Sequence, residues 1–385
     1  MKKFSFFIIL ALIMLALCGT ALAAAETEQA GTNLGLKCTS SLLMDGLTGE
    51  ILYEQNADEQ RYPASVTKIM TMVLILEAVD DGAISLDDVV TVSEEAAAMG
   101  GSQVYLYPGE TRTVHEMLIA IAVGSGNDAS YAMAEYVGGT YENFIDRMNE
   151  RANQLGMTNT HFVNAHGLHD ENHYTTARDL GLLAFHALSL PKFLEYTAIY
   201  EYEFRPDPKL LTLWNTNRLL KWYEGTDGMK TGYTSEAGRN LVATVKREGL
   251  RLISVVLGAT ERNGHFQESM KLLNYGFNSY KYYPLHAAGD VMAVATVSKG
   301  AADTVDLILS KDLGYTCKKG EEPAVTESME IINMLDAPVE AGDVCGNVTL
   351  YQDGQELVSA DLLAADSVAK GSMFRTWGKL LMKMW

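Results

Sequence analysis

The chain has 385 residues, 48% of them hydrophobic and 21% charged, which is enough apolar material for a full core, enough length for two domains, and too much for a disordered polypeptide. The formal net charge of −19 argues against a nucleic-acid partner, because an acidic body repels phosphate. No pair of its cysteines has C-x-x-C spacing, so no zinc knuckle, dithiol redox site or other cofactor is expected.

The first predicted element is a secretory signal peptide over residues 1–25. Lys2 and Lys3 precede an apolar run from Phe4 to Leu17, and Ala21-Leu22-Ala23 and Ala23-Ala24-Ala25 both offer cleavage patterns. The run is shorter than the ~20 apolar residues of a membrane span. Bulky Leu17 stands where lipidation of Cys18 would require a small residue. An exported protein on the outer face of the cytoplasmic membrane is therefore expected. Cys317 and Cys345 are open to two readings, a disulfide or a pair of buried thiols.

From about Leu36 to Phe277 helices and strands mix without repeats. Ile69 to Val79, after Pro63, is a nearly continuous apolar run of helical length and suits a buried helix. Ser65-Val66-Thr67-Lys68 stands at its start. A nucleophilic serine needs a base near enough to take its proton, and residues three apart share a helix face. The same spacing recurs at Ser189–Lys192 and Ser367–Lys370. Only Ser65 opens an apolar helix, where free backbone N–H groups face a developing oxyanion. Pro191 interrupts the second match, and the third lies in a basic tail.

Ser125-Gly126-Asn127, the single S-x-N of the chain, follows the apolar stretch Met117–Val123. His161, His166, His169 and His173 then crowd a short region. His169 and His173 are spaced i,i+4, yet no glutamate adjoins the first histidine as in a zinc-protease helix, and the Asn- and Gly-containing surroundings read as loop, so no metal site is expected. Lys230-Thr231-Gly232, also unique, precedes two β-rich runs, Leu241–Val245 and Leu252–Leu257. Lys246-Arg247-Glu248-Gly249 between them is a hairpin signal.

After Tyr283-Pro284 the texture changes to short strand candidates, Thr304–Leu309, Gly346–Tyr351 and Glu356–Ser359, with an Asp353-Gly354 turn. This predicts a small all-β domain over residues 285–365. The last segment, 367–385, carries Lys370, Arg375, Lys379 and Lys383 and no acid. At ~100° per residue Met373, Trp377, Leu380, Leu381 and Met384, with Phe374 and Trp385, fall on one face and Arg375, Lys379 and Lys383 on the other. A helix of about 20 Å is too short and too charged for a ~30 Å hydrocarbon core. It is expected to lie on an anionic membrane surface.

S-x-x-K, S-x-N and K-T-G in this order form the motif set of penicillin-binding proteins and class A β-lactamases. Tyr62-Pro63-Ala64 before Ser65, Asp128-Ala129 after Asn127, His166-Gly167-Leu168, Thr175-Thr176-Ala177-Arg178-Asp179, Asn215-Thr216-Asn217 and Gly228-Met229 before Lys230 extend the likeness. Over nearly all of its mature length the chain resembles low-molecular-mass penicillin-binding proteins, the serine-type D-alanyl-D-alanine carboxypeptidases. The resemblance implies an α+β fold, with a β-lactamase-like transpeptidase domain over residues 35–283 followed by the small all-β domain and the amphipathic helix. It implies peptidoglycan stem peptides ending in D-Ala-D-Ala as substrate and β-lactams as acylating inhibitors.

The same resemblance implies roles. Ser65 is the acylated nucleophile, and Lys68 is its base, kept partly neutral by burial and by Lys230. Ser125 relays a proton to the leaving D-alanine, and Asn127 orients Lys68 and the substrate amide. Lys230 and Thr231 hold the terminal carboxylate, Gly232 lets the substrate backbone lie against a strand edge, and the N–H groups of Ser65 and Tyr233 form the oxyanion hole. One departure stands out. Similar carboxypeptidases often carry an arginine for the carboxylate where this chain has His265, so either protonated His265 binds it, Arg262 reaches in, or the contact is lost. A D,D-endopeptidase would share all three motifs. A β-lactamase would need an E-x-x-L-N pattern that is missing here, and the intact Ser65, Lys68, Ser125, Asn127 and Lys230 argue against a wall-binding scaffold.

Overall fold

A computed structural model describes residues 33–206 and 210–371. The expected signal peptide and amphipathic helix lie outside the described residues. The first body is organised by strands β1 (Ser40–Asp45), β2 (Ile51–Gln55), β3 (Thr226–Thr234), β4 (Gly238–Arg247) and β5 (Leu250–Ala259). They form one antiparallel sheet in the spatial order β2-β1-β5-β4-β3. The helices of this body include α1 (Lys68–Asp80), α2 (Val114–Ala122), α3 (Asn127–Gly138), α4 (Ala177–Ala187) and α5 (Gly264–Ser279).

All six residues of β1 are buried, so both faces of the sheet are covered. Side chains alternate along a strand. Leu42 and Met44 therefore face one side, where a Cβ on Gly181 of α4 would come within 2.7 Å of Leu42 Cδ2. Leu43 faces the other, where a Cβ on Gly276 of α5 would meet Leu252 Cδ1 at 2.5 Å and Leu43 Cδ2 at 3.0 Å. Glycine at these two points lets the helices sit directly on the sheet.

Helix α1 is apolar on every side, and a helix of that kind must be internal. Every residue from Lys68 to Leu76 is buried, in one core with α2, α3 and α4. The β-rich runs extend to the full lengths of β4 and β5. Their link is a two-residue turn, Glu248 and Gly249, with both φ positive at 46° and 84°. That is the twist-compatible hairpin geometry.

The expected all-β unit is present as a second sheet with its own core of Leu307, Leu309, Val348, Leu350 and Leu362. Its strands run in the spatial order Val325–Ile331, Val344–Gln352, Gln355–Ala364, Thr304–Leu309, Val291–Ser298 and Met334–Asp336. Asp353 and Gly354 form another hairpin turn with positive φ, 51° and 79°. Ser367–Gly371, assigned on sequence to the basic tail, belongs to this body instead. Val368 is buried and exchanges backbone hydrogen bonds with Val339, and Gly371 N–H donates to the Lys299 carbonyl at 2.7 Å. Cys317 and Cys345 are free thiols.

Candidate active site

Pro63 leads the chain into a 3-10 turn, Ala64–Thr67, which continues into α1. Ser65 therefore precedes the α-helix, and Lys68 is its first residue. In a 3-10 turn residues three apart eclipse one another, and Ser65 Oγ lies 3.1 Å from Lys68 Nζ. Lys68 is fully buried, and its Nζ also donates to Asn127 Oδ1 at 2.7 Å and to the His166 carbonyl at 2.6 Å. Burial first, then the nearby Lys230 cation, hold the Lys68 amine well below the usual lysine range, against the opposing pull of Asp128. A neutral amine has two protons and one lone pair. The two closer partners are carbonyl oxygens, which only accept, so the lone pair faces the Ser65 hydroxyl.

Ser125 sits between α2 and α3 with φ at 55°, and Asn127 begins α3 with its N–H on the Ser102 carbonyl at 2.7 Å. The next residue, Asp128, is buried and accepts from the N–H groups of Val104 and Leu106, which fixes the loop carrying Ser102. Lys230 reaches in from β3, the edge strand of the sheet, and its Nζ meets Ser125 Oγ at 3.0 Å. Burial brings the Lys230 amine down to about 7. Thr231 Oγ1 is 2.5 Å from Thr216 Oγ1. At Gly232 a Cβ would come within 2.8 Å of the Pro63 carbonyl oxygen and 3.0 Å of the Ser65 nitrogen, so β3 lies directly against the serine's turn.

Ser65, Ser125, Thr231, Gly232, Tyr233 and His265 all line one cavity of about 620 Å³, with Lys68 and Lys230 buried around it. Ser189 and Ser367, the other two S-x-x-K serines, are outside it and bond to the His186 carbonyl and the Glu340 carboxylate. Arg262 is exposed on the turn before α5 and does not line the cavity. His265 does line it, but burial and the Arg239 and Arg218 guanidiniums hold its imidazole down to about 4. It is held neutral near pH 7 in the free enzyme, which weighs against His265 as a cationic clamp.

Two charged cavity residues were missed on sequence, Arg218 and Arg239. Arg239 pairs across the strands with Tyr233, and its guanidinium lies over that ring at 4.6 Å. Its buried Nε has no hydrogen-bond partner among the described residues. Arg218 follows the Asn215-Thr216-Asn217 motif and stacks on Trp222 at 5.5 Å. Among the described residues no carboxylate lines the cavity. Signals for both were available: one arginine directly follows the Asn-Thr-Asn motif, and the other is the hairpin neighbour of the residue after K-T-G. The four histidines are spread over separate contacts. His161 meets the Asn172 carbonyl, His169 packs edge-on to Tyr62, His173 meets Thr67, and His166 Nδ1 accepts from Leu168 N–H.

A family model described as D-alanyl-D-alanine carboxypeptidase matches residues 25–261, and one for the C-terminal domain of penicillin-binding protein 5 matches residues 280–370. The D-alanyl-D-alanine carboxypeptidase DacF of Bacillus subtilis is 38% identical over all of this chain and 99% of its own length. The enzyme DacC of Escherichia coli is 36% identical over 94% of this chain and 92% of its own. Among solved structures, penicillin binding protein 5 of Haemophilus influenzae covers 87% of this chain and 98% of its own at 34% identity and a TM-score of 0.66. Penicillin-binding protein D2 of Listeria monocytogenes, solved with ampicillin bound, covers 64% of this chain and all of its own at 34% identity and a TM-score of 0.58.

Proposed function

Because the chain belongs to the D-alanyl-D-alanine carboxypeptidase family, we propose a division of that reaction among its own residues. The activity is serine-type hydrolysis of the terminal D-Ala-D-Ala bond of peptidoglycan stem peptides, in the manner of low-molecular-mass penicillin-binding proteins. Ser65 Oγ attacks the carbonyl carbon of the penultimate D-alanine and gives its proton to Lys68 Nζ. The observation that carries this assignment is the Lys68 amine itself, buried, depressed in pKa, and held by two acceptor oxygens so that its lone pair faces Ser65. The backbone N–H groups of Ser65 and Tyr233 receive the oxyanion. Collapse expels the terminal D-alanine, whose amine takes a proton through Ser125, and water then hydrolyses the ester on Ser65.

The substrate's terminal carboxylate binds Thr231 and the cation of Lys230, joined by Arg239 and Arg218. These arginines, which among the described residues face no carboxylate in the cavity, take the role that the sequence left between His265 and Arg262. β-Lactams, which also present a carboxylate beside an acyl carbon, acylate the same serine, as the ampicillin complex of the Listeria relative suggests. The exported protein is held at the outer face of the membrane by residues 372–385, a reading that rests on their amphipathic pattern. No described helix is long and apolar enough to cross a membrane. The test of function is incubation of purified enzyme with a peptide ending in D-Ala-D-Ala. Stoichiometric release of free D-alanine is expected, and its absence would overturn the reading.

A further inference from the structure

One buried titratable side chain reaches the nucleophile's turn without a part in the reaction steps. His173 is 1% exposed, and its two ring nitrogens have different partners. The Val163 N–H donates to Nδ1 at 3.0 Å, so Nδ1 carries the lone pair and the neutral ring keeps its proton on Nε2. Nε2 lies 2.8 Å from Thr67 Oγ1. The Thr67 hydroxyl has one proton and gives it to the Ala64 carbonyl at 2.8 Å. The direction of the chain is thereby set: the imidazole donates, and the hydroxyl accepts and passes the polarity on.

What this chain holds is the peptide immediately before Ser65. Ala64 has φ at 50°, a left-handed conformation that a residue with a Cβ keeps only when its surroundings impose it. In a trans peptide the carbonyl oxygen and the amide hydrogen point in opposite directions in one plane. A hydrogen bond that pins the Ala64 oxygen therefore aims the Ser65 N–H. We propose that His173, acting through the Thr67 hydroxyl, is a positioning residue that orients the Ala64–Ser65 peptide plane and with it the oxyanion-binding N–H of Ser65. The inference rests on the reading of Ser65 as the nucleophile.

The arrangement exists only for a neutral imidazole, since a proton on Nδ1 would face the Val163 N–H donor to donor. Of the charged and titratable groups around the ring, Asp170 favours the cation, while His161, Lys68 and His169 oppose it. Burial outweighs them all and holds His173 down to about 3. The relay is thus intact throughout the neutral range.

The test measures the rate of Ser65 acylation by benzylpenicillin, alongside its non-covalent Kd and the Tm, in four single variants and one double. Thr67→Val, which keeps nearly the side-chain shape, and His173→Leu are each expected to slow acylation by ~10–100-fold, the scale of a small misalignment of reacting groups, with Kd changed by no more than about twofold. Thr67→Ser and His173→Gln, which restore a hydroxyl and a donor, should recover most of the rate. The Thr67→Val/His173→Leu double variant should be no slower than the slower single, because both act on one peptide plane. Variants that lose only Tm while acylating at the unmodified rate, or a double variant whose losses multiply, would overturn the proposal alone. An unmodified enzyme with no adduct on Ser65 would overturn the nucleophile assignment and this proposal together. If His173→Leu fails to fold, Thr67→Val against Thr67→Ser decides.

Discussion

At Lys68 Nζ two carbonyl acceptors and the Ser65 hydroxyl surround an amine whose burial disfavours the charge that would let it donate to all three. The neutral form is the catalytic one, so acylation should rise with pH as Lys68 loses its proton, and the rise should be complete well below the usual lysine pKa. Lys68→Ala should slow acylation by at least ~100-fold and abolish that rise. Lys230 works with the opposite sign. Its cation attracts the substrate carboxylate, and with the free-enzyme amine down to about 7 that cation is lost as pH rises through this value, so kcat/KM should fall on the alkaline side. In Lys230→Arg the alkaline fall should disappear, and a limb that persists in this variant would assign it elsewhere. His265, already neutral above about 4, should contribute no inflection near 6.5. Arg239→Ala should lower kcat/KM by ~10–100-fold on a free-carboxylate peptide, the worth of a charged hydrogen bond, and much less on the same peptide amidated at its C-terminus. Equal losses on the two peptides would remove Arg239 from the carboxylate site.

The contact between β3 and the Ala64–Thr67 turn shows how an element sets the site. Gly232 faces backbone atoms of Pro63 and Ser65 that cannot swing aside as a side chain would. Gly232→Ala should cost about 1–3 kcal/mol by overpacking and slow acylation as the edge strand is pushed off the nucleophile; an unchanged Tm and rate would show that the strand yields freely. Much of this element layout was legible. The apolar run at Ile69–Val79 needs an internal position in any globular fold, and the Glu248-Gly249 and Asp353-Gly354 turns sit in sequence contexts that allow hairpin geometry. The motif triplet placed Ser65, Lys68, Ser125, Asn127 and Lys230 at one site, and the structure brings these five side chains together. The 3-10 form of the Ser65 turn was not legible, because β3, which lies directly against it, begins more than 160 residues after Ser65 in the chain. Arg218 and Arg239 were missed although local signals marked them, the Asn-Thr-Asn motif before one and the hairpin position opposite Tyr233 for the other. His173 was missed because its partner Thr67 is 106 residues away, and no local pattern encodes that.

On the scale of the whole molecule, stability and attachment depend on groups away from the chemistry. His166 and His173 are each held neutral, down to about 3, while an unfolded histidine titrates near 6.5. The unfolded chain thus binds more protons between these values. Their contribution is fully present above about 6.5 and is lost as pH falls toward 3, so Tm should decline through that window. His173→Gln should flatten part of the decline, and an unaltered slope would locate the acid sensitivity elsewhere. The membrane segment must be separated from the β body with care, because Val368 and Gly371 belong to the body. Truncation after Gly371 should leave activity on small peptides unchanged and abolish sedimentation with anionic vesicles, and equal sedimentation of both forms would reject the segment as anchor. Every role assigned in the cavity depends on Ser65, activated by Lys68, being the residue that carries the acyl group. Peptide mapping by mass spectrometry after reaction with benzylpenicillin reads that residue itself. One adduct per chain is expected, on the peptide containing Ser65; labelling at Ser189 or Ser367, or no label on an enzyme that still releases D-alanine, would contradict it.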